Sequence, residues 1–160
     1  ALNSNCTKIA DGCTTGSVQE RWLRADLAAN QTQCTLAFWH HPRFSSGYDG
    51  SMTIYSAFWQ ALYDYNADLV LVGHSHDYER FAPQKADGTK DTVRGIREFV
   101  VGTGGRDFTG WRTPRAPNSE ARQNNTFGVL KLTLRATSYN WQFVPITGSS
   151  YSDSGTQQCH

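Results

Sequence analysis

Four of the five histidines in this 160-residue chain fall into two tight groups, His40-His41 in LAFWHHPRF and His74-Ser75-His76 in DLVLVGHSHDYERF. Neutral imidazole is the commonest protein ligand for transition metals. Two histidines at i and i+2 on extended backbone can aim at one ion or at two adjacent ions, and a third from a neighbouring strand end completes three nitrogens. No cysteine stands in either group, so copper(I) and iron–sulfur centres fit poorly, while zinc, manganese and iron fit well. A lone histidine is usually a surface or core residue. Three of them at two strand ends point to a metal site. Hydrolytic metal chemistry also wants carboxylates to bridge the ions and balance their charge, and neither histidine group supplies an obvious set.

The surrounding patterns say how these residues could meet. SVQERWLRADLAAN (17–30) reads as a helix, with Ser17 and Glu20 as a capping box and Val18, Trp22, Leu23 and Leu27 as its apolar stripe. CTLAFW reads as a short buried strand that Pro42 ends, since proline has no N–H and restricts the residue before it. A Gly/Ser-rich loop, RFSSGYDGS, leads to a second helix carrying Met52, Tyr55, Phe58, Trp59, Leu62 and Tyr63. ADLVLV then gives a strand bounded by Gly73. Strand, helix and strand in this order predict two parallel strands joined by a right-handed crossover. Their carboxyl ends lie on one sheet edge, where open α/β sheets bind ligands, and both histidine groups fall just beyond those ends.

The later chain reads differently. A strand from Ile96 to Val101 is followed by a glycine-rich turn. Leu130, Leu132 and Leu134 alternate with polar residues, as do Tyr139, Trp141 and Phe143, and RATS between them predicts an antiparallel hairpin. Residues 84–94 and 106–125 read as long polar loops. The tail GSSYSDSGTQQCH reads as irregular and pinned by Cys159.

A length of 160 residues suits one domain spanning 1–160. The net charge of +1 provides no field for nucleic acid or an anionic membrane surface, and no apolar run is long enough to span a bilayer. No signal-type segment opens the chain, so any export signal would lie outside it. Cys6, Cys13, Cys34 and Cys159 form no C-x-x-C pair and read as two disulfides, which places the chain in an oxidising compartment, secreted or periplasmic. Three pairings are open, with Cys6–Cys13 as a local staple and Cys34–Cys159 as a long-range tie favoured. Asn5, Asn30 and Asn124 begin sequons that permit glycans in a eukaryotic source.

GHSHDYERF (73–81) resembles the G-H-x-H-x-Y-E-R signature of purple-acid-phosphatase-like metallophosphoesterases, within the calcineurin-like superfamily. LAFWHHPRFSSG (36–47) is similar to that family's strand ending in H-x-P, FVVGTGG (99–105) to a later strand and glycine turn, and NSNC (3–6) to an earlier strand. The resemblance implies an α/β fold: half of a four-layer αββα sandwich, a strand–helix–strand unit followed by antiparallel strands. It implies that His40 and His74 bind one ion of a dinuclear Fe, Zn or Mn centre and His76 the other. It also implies that metal-activated water attacks a phosphate ester in line. His41, one residue from a ligand, could donate a hydrogen bond or protonate a leaving group, or simply lie exposed beside the ligands. Arg43 is expected to attract phosphate. Glu79-Arg80 reads as an ion pair holding the histidine loop, and Tyr78 as packing.

The chain departs from the family where the N-terminal motifs would be. No Gly-Asp or Asn-His dipeptide occurs, so the bridging aspartate is missing. The resemblance therefore covers a C-terminal half, expected to be inactive alone and to need an N-terminal half as another chain or a removed segment. Two alternatives remain: a non-catalytic, disulfide-stabilised binding or structural module, and a mononuclear zinc hydrolase using three histidines.

Overall fold

The computed structural model describes residues 1–160 as three layers: two helices, a five-stranded mixed sheet and a three-stranded antiparallel sheet. Strands β1 (Leu36–Phe38), β2 (Leu69–Val72), β3 (Tyr78–Phe81), β4 (Arg97–Val101) and β5 (Ser119–Gln123) form the first sheet, in the order β1-β2-β4-β3-β5. The β1–β2 and β2–β4 pairs are parallel, whereas β3 is antiparallel to both β4 and β5. Strands β6 (Gly128–Leu134), β7 (Ser138–Pro145) and β8 (Ser154–Gln158) form the second sheet.

Helix α1 (Val18–Ala29) starts as its sequence predicts, the Ser17 side chain accepting from the Glu20 N–H. The Glu20 carboxylate reaches back one residue further than in the usual box, to the Gly16 N–H at 3.1 Å. The expected stripe needs correction: Leu23 and Leu27 are buried, but Val18 and Trp22 are each 51% exposed. Glu20, paired with Arg24, occupies the buried face instead. Helix α2 (Ser56–Asp64) buries Phe58, Trp59, Ala61 and Leu62 against the first sheet.

Alternation along each central strand divides the interior into two cores. Val70, Val72, Phe81 and Val100 face the helices. Leu69, Tyr78 and Phe99 face Tyr139, Trp141 and Phe143 of the second sheet. Charged residues follow the same alternation, so Glu79 and Arg80 point to opposite faces of β3 and do not pair. Glu79 accepts from the Ser46 N–H and from the Ser46 and Ser119 hydroxyls. Arg80 pairs with Asp153 and Glu120 on the other side.

Two further readings of the sequence are corrected. Within 106–125 lies β5, which pairs with β3. The tail is ordered as β8, five residues paired antiparallel with β7. Disulfides join Cys6 to Cys13 and Cys34 to Cys159, the second linking the end of β8 to the start of β1 across a separation of 125 residues.

Candidate metal centre

Parallel pairing carries both histidine groups to one sheet edge. The β1–β2 ladder continues past its named ends, with the Trp39 N–H donating to Leu71 and the Gly73 N–H donating to the His40 carbonyl. His40 and His74 thus leave adjacent strands side by side, and His40 Nε2 lies 3.2 Å from His74 Nδ1. His74 stands in the left-handed backbone region at φ 63°, uncommon for a residue with a Cβ. That conformation turns the chain sharply between β2 and β3.

The turn is hemmed in by backbone. A Cβ at Gly102, the first residue after β4, would lie 1.9 Å from the Ser75 carbonyl oxygen and 2.9 Å from His76 Cα, so only glycine fits. Ser75 is buried and donates to the Asp77 carboxylate, which also receives the Thr109 hydroxyl at 3.3 Å. Burial pushes Asp77 up to about 6.

His40, His41 and His74 each offer a ligand atom within 4.8 Å of the others. His76 stands outside that group, with its Nδ1 3.4 Å from Asp107. The membership differs from the His40, His74 and His76 set that the sequence singled out, with His41 in place of His76. Burial lowers the His40 pKa, as do the His74 and His76 imidazoles. Burial and the neighbouring His74 and His40 lower that of His41, partly opposed by Asp49. Rings kept neutral in this way offer lone pairs to a cation, so the donor set suits an imidazole-bound transition metal.

Three groups at the site are not marked as site residues by the sequence. Asp49, from the loop after β1, places Oδ2 3.3 Å from His74 Nε2, so the His40-His41-His74 group has a carboxylate of this chain beside it. Ser4 holds its hydroxyl 2.8 Å from His41 Nδ1. Tyr55 stacks on the His41 ring at 5.8 Å and donates its hydroxyl to the Ser4 carbonyl. Each arrives from a distant segment, and only the tertiary fold unites them.

Arg43 does not face the site, contrary to its expected role with phosphate. It is 6% exposed, gives Nη2 to the Ala86 carbonyl at 2.7 Å and lies over the Phe44 ring. Pro42 ends β1 and turns the chain inward, so residue 43 enters the helix-side core. The backbone N–H groups of Arg43 and Phe44 both donate to Glu98, each at 2.9 Å. Full burial raises Glu98 to about 8 despite those two donors.

A search of family models finds no match. Among curated proteins, the chain is 37% identical over 93 residues to an acid phosphatase of Aspergillus ficuum, covering 51% of this chain and 15% of that protein. It is 32% identical over 130 residues to purple acid phosphatase 21 of Arabidopsis thaliana, covering 74% of this chain and 28% of that one. The chain thus spans well under a third of the length of these two relatives. Its fold matches that of purple acid phosphatase PPD1 from yellow lupin seeds, with a TM-score of 0.78 at 21% identity, over 88% of this chain and 28% of the other. On sequence and fold together, the chain belongs to the purple-acid-phosphatase-like metallophosphoesterases, corresponding to the C-terminal part of their catalytic domain.

Proposed function

We propose that this chain is the histidine-bearing part of a metal-dependent phosphoric ester hydrolase, exported to an oxidising compartment and completed by an N-terminal half of the catalytic domain. The observation that carries this reading is the meeting of His40 and His74 at 3.2 Å, delivered by adjacent parallel strands. His40 and His74 would hold one ion and His76 the other. Bound metals of this kind lower the pKa of a coordinated water and neutralise charge on a phosphate ester. Asp49 and Asp107 orient His74 and His76 as outer partners, the role carboxylates commonly play toward ligating histidines.

Two features favour an N-terminal half as the partner. An apolar groove of about 390 Å³ opens beside the site, lined by residues including Phe38, Leu71, Val101 and Val129. Phe38, on the edge strand β1, is 51% exposed and Val129 is 59% exposed, a surface suited to another packed layer. The chain also matches relatives several times its length, which have room for such a half. The two disulfides accord with export.

The test has two arms. The 160-residue chain, titrated with zinc and assayed for bound metal, should lose affinity by about tenfold or more in His40→Ala and His74→Ala. Joined to an N-terminal half bearing the Gly-Asp and Asn-His motifs, it should hydrolyse p-nitrophenyl phosphate, and His76→Ala should cut turnover by roughly a hundredfold. Unchanged turnover in His76→Ala would overturn the assignment. No metal uptake in either form would favour the non-catalytic module.

A further inference from the structure

The hydroxyl of Ser4 is placed among three nitrogens, and a count of its bonding capacity has a chemical consequence for His41. A serine hydroxyl has one proton to give and two lone pairs with which to accept. The backbone N–H groups of His40 and His41 both point at Ser4 Oγ, at 3.2 and 3.1 Å, and as amides they can only donate. Both lone pairs are thereby used. The remaining contact of Oγ, 2.8 Å to His41 Nδ1, must use the hydroxyl proton, with Ser4 as donor and the imidazole nitrogen as acceptor. An Nδ1 that accepts has no proton of its own, so in the neutral ring the proton sits on Nε2.

We propose that Ser4 locks His41 as its Nε2–H tautomer, making this ring a hydrogen-bond donor to a phosphoryl oxygen and excluding it from the metal ligands. A protonated Nε2 has no lone pair for a cation, while Nδ1 is already committed to Ser4. Proximity alone therefore overstates the ligand set: His40 and His74 remain, and His41 has the other role. Ser4 is the positioning residue. It is itself held, being 3% exposed, with its carbonyl bound by the Tyr55 hydroxyl at 2.9 Å. Two residues earlier, the Leu2 N–H donates to the Phe38 carbonyl at 2.9 Å, which docks segment 2–4 along the edge of β1. The Trp39 indole gives its N–H to the His41 carbonyl, fixing the backbone from the other side. Stacking on Tyr55 then sets the plane of the ring.

The phosphoryl acceptor rests on the proposed function, whereas the tautomer does not. Histidine nitrogens labelled with ¹⁵N in the metal-free 160-residue chain report the tautomer directly through two-bond ¹H–¹⁵N correlations, with the rings neutral. His41 should show a pyridine-type Nδ1 and a pyrrole-type Nε2. Ser4→Thr should keep that pattern, and Ser4→Ala should shift Nδ1 and mix the tautomers. Zinc should perturb the ring nitrogens of His40 and His74 as ligands and leave His41 uncoordinated. In the completed protein, His41→Ala should weaken inorganic phosphate about tenfold, the scale of one hydrogen bond to a charged group, while bound metal stays unchanged. A protonated Nδ1 on His41, an unaltered spectrum in Ser4→Ala, or coordination of His41 by zinc would each overturn the inference. A locked tautomer in a protein with no phosphatase activity would sustain the role of Ser4 and defeat the proposed function.

Discussion

Glu98 shows how one buried residue couples the site to pH. Its carboxylate anchors the backbone at Arg43 and Phe44, just after the His40-His41 pair, yet it lies where water cannot reach. Burial raises its pKa from the ordinary 4.5 to about 8. Between those values the unfolded chain releases the proton while the folded chain keeps it, so folding stability falls as pH rises through this window. Fully expressed, one such group gives a slope of about 1.4 kcal/mol per pH unit. Urea unfolding at pH 5 and pH 8 should show the chain more stable at the acid value, and Glu98→Gln should flatten the difference. The same variant should be weaker at pH 5 by roughly 1–2 kcal/mol, because an amide can accept from both N–H groups only through its single oxygen. A slope unchanged in Glu98→Gln would place the titrating group elsewhere.

At the scale of elements, the join between β4 and the 74–76 turn decides whether the imidazoles hold their places. Gly102→Ala puts a methyl group against the Ser75 carbonyl and His76 Cα, and backbone on both sides leaves little room to yield. Chemical denaturation should register a loss of about 1–3 kcal/mol, the usual range for overpacking. Zinc affinity should drop with it, since displacement of the turn moves His74 and His76 together. Preserved affinity would show that the turn can shift as a rigid piece. This join was partly legible in the sequence. ADLVLV and CTLAFW announce parallel strands through their apolar runs, and the histidines follow from where those runs stop. The strands β3 and β5 were hidden because YERF and SEARQ carry charge in the middle of a sheet. The charges of β3 meet Ser46, Ser119, Asp153 and the Trp141 ring, while Glu120 of β5 pairs with Arg80 and Arg97 and Arg122 lies over Trp111, all partners remote in sequence. Arg43 misled for a related reason: a guanidinium beside a candidate ligand looks like a phosphate group's partner until the fold turns it into the core. Ser4 and Asp49 offered no periodicity or spacing to read, as their roles exist only once four separate segments meet.

On the scale of the whole molecule, three layers are held by two cores and one long covalent tie. The Cys34–Cys159 bond joins the two sheets, from the start of β1 to the end of β8, and His160 adds a backbone N–H to Asp68 at 3.0 Å beside it. Closing a loop of 125 residues is worth about 5 kcal/mol in the chain-entropy account. Cys159→Ser should lower the unfolding midpoint and release β8 first, observable as early hydrogen exchange over 154–158. The local Cys6–Cys13 pair, seven residues apart, should matter less to global stability. Equal losses from opening either bond would mean that the small staple carries more of the fold than its loop length implies.

That tie also imposes an order of events during biosynthesis. Cys34 emerges from the ribosome well over a hundred residues ahead of its mate, so its thiol has to stay unmispaired while the local cysteines close and the first sheet assembles. An oxidase acting too early would trap Cys34 with Cys6 or Cys13. Yield of correctly joined protein should therefore rise with a disulfide isomerase, whose thiolate attacks a mispaired bond, even though the folded molecule keeps every cysteine in a native pair.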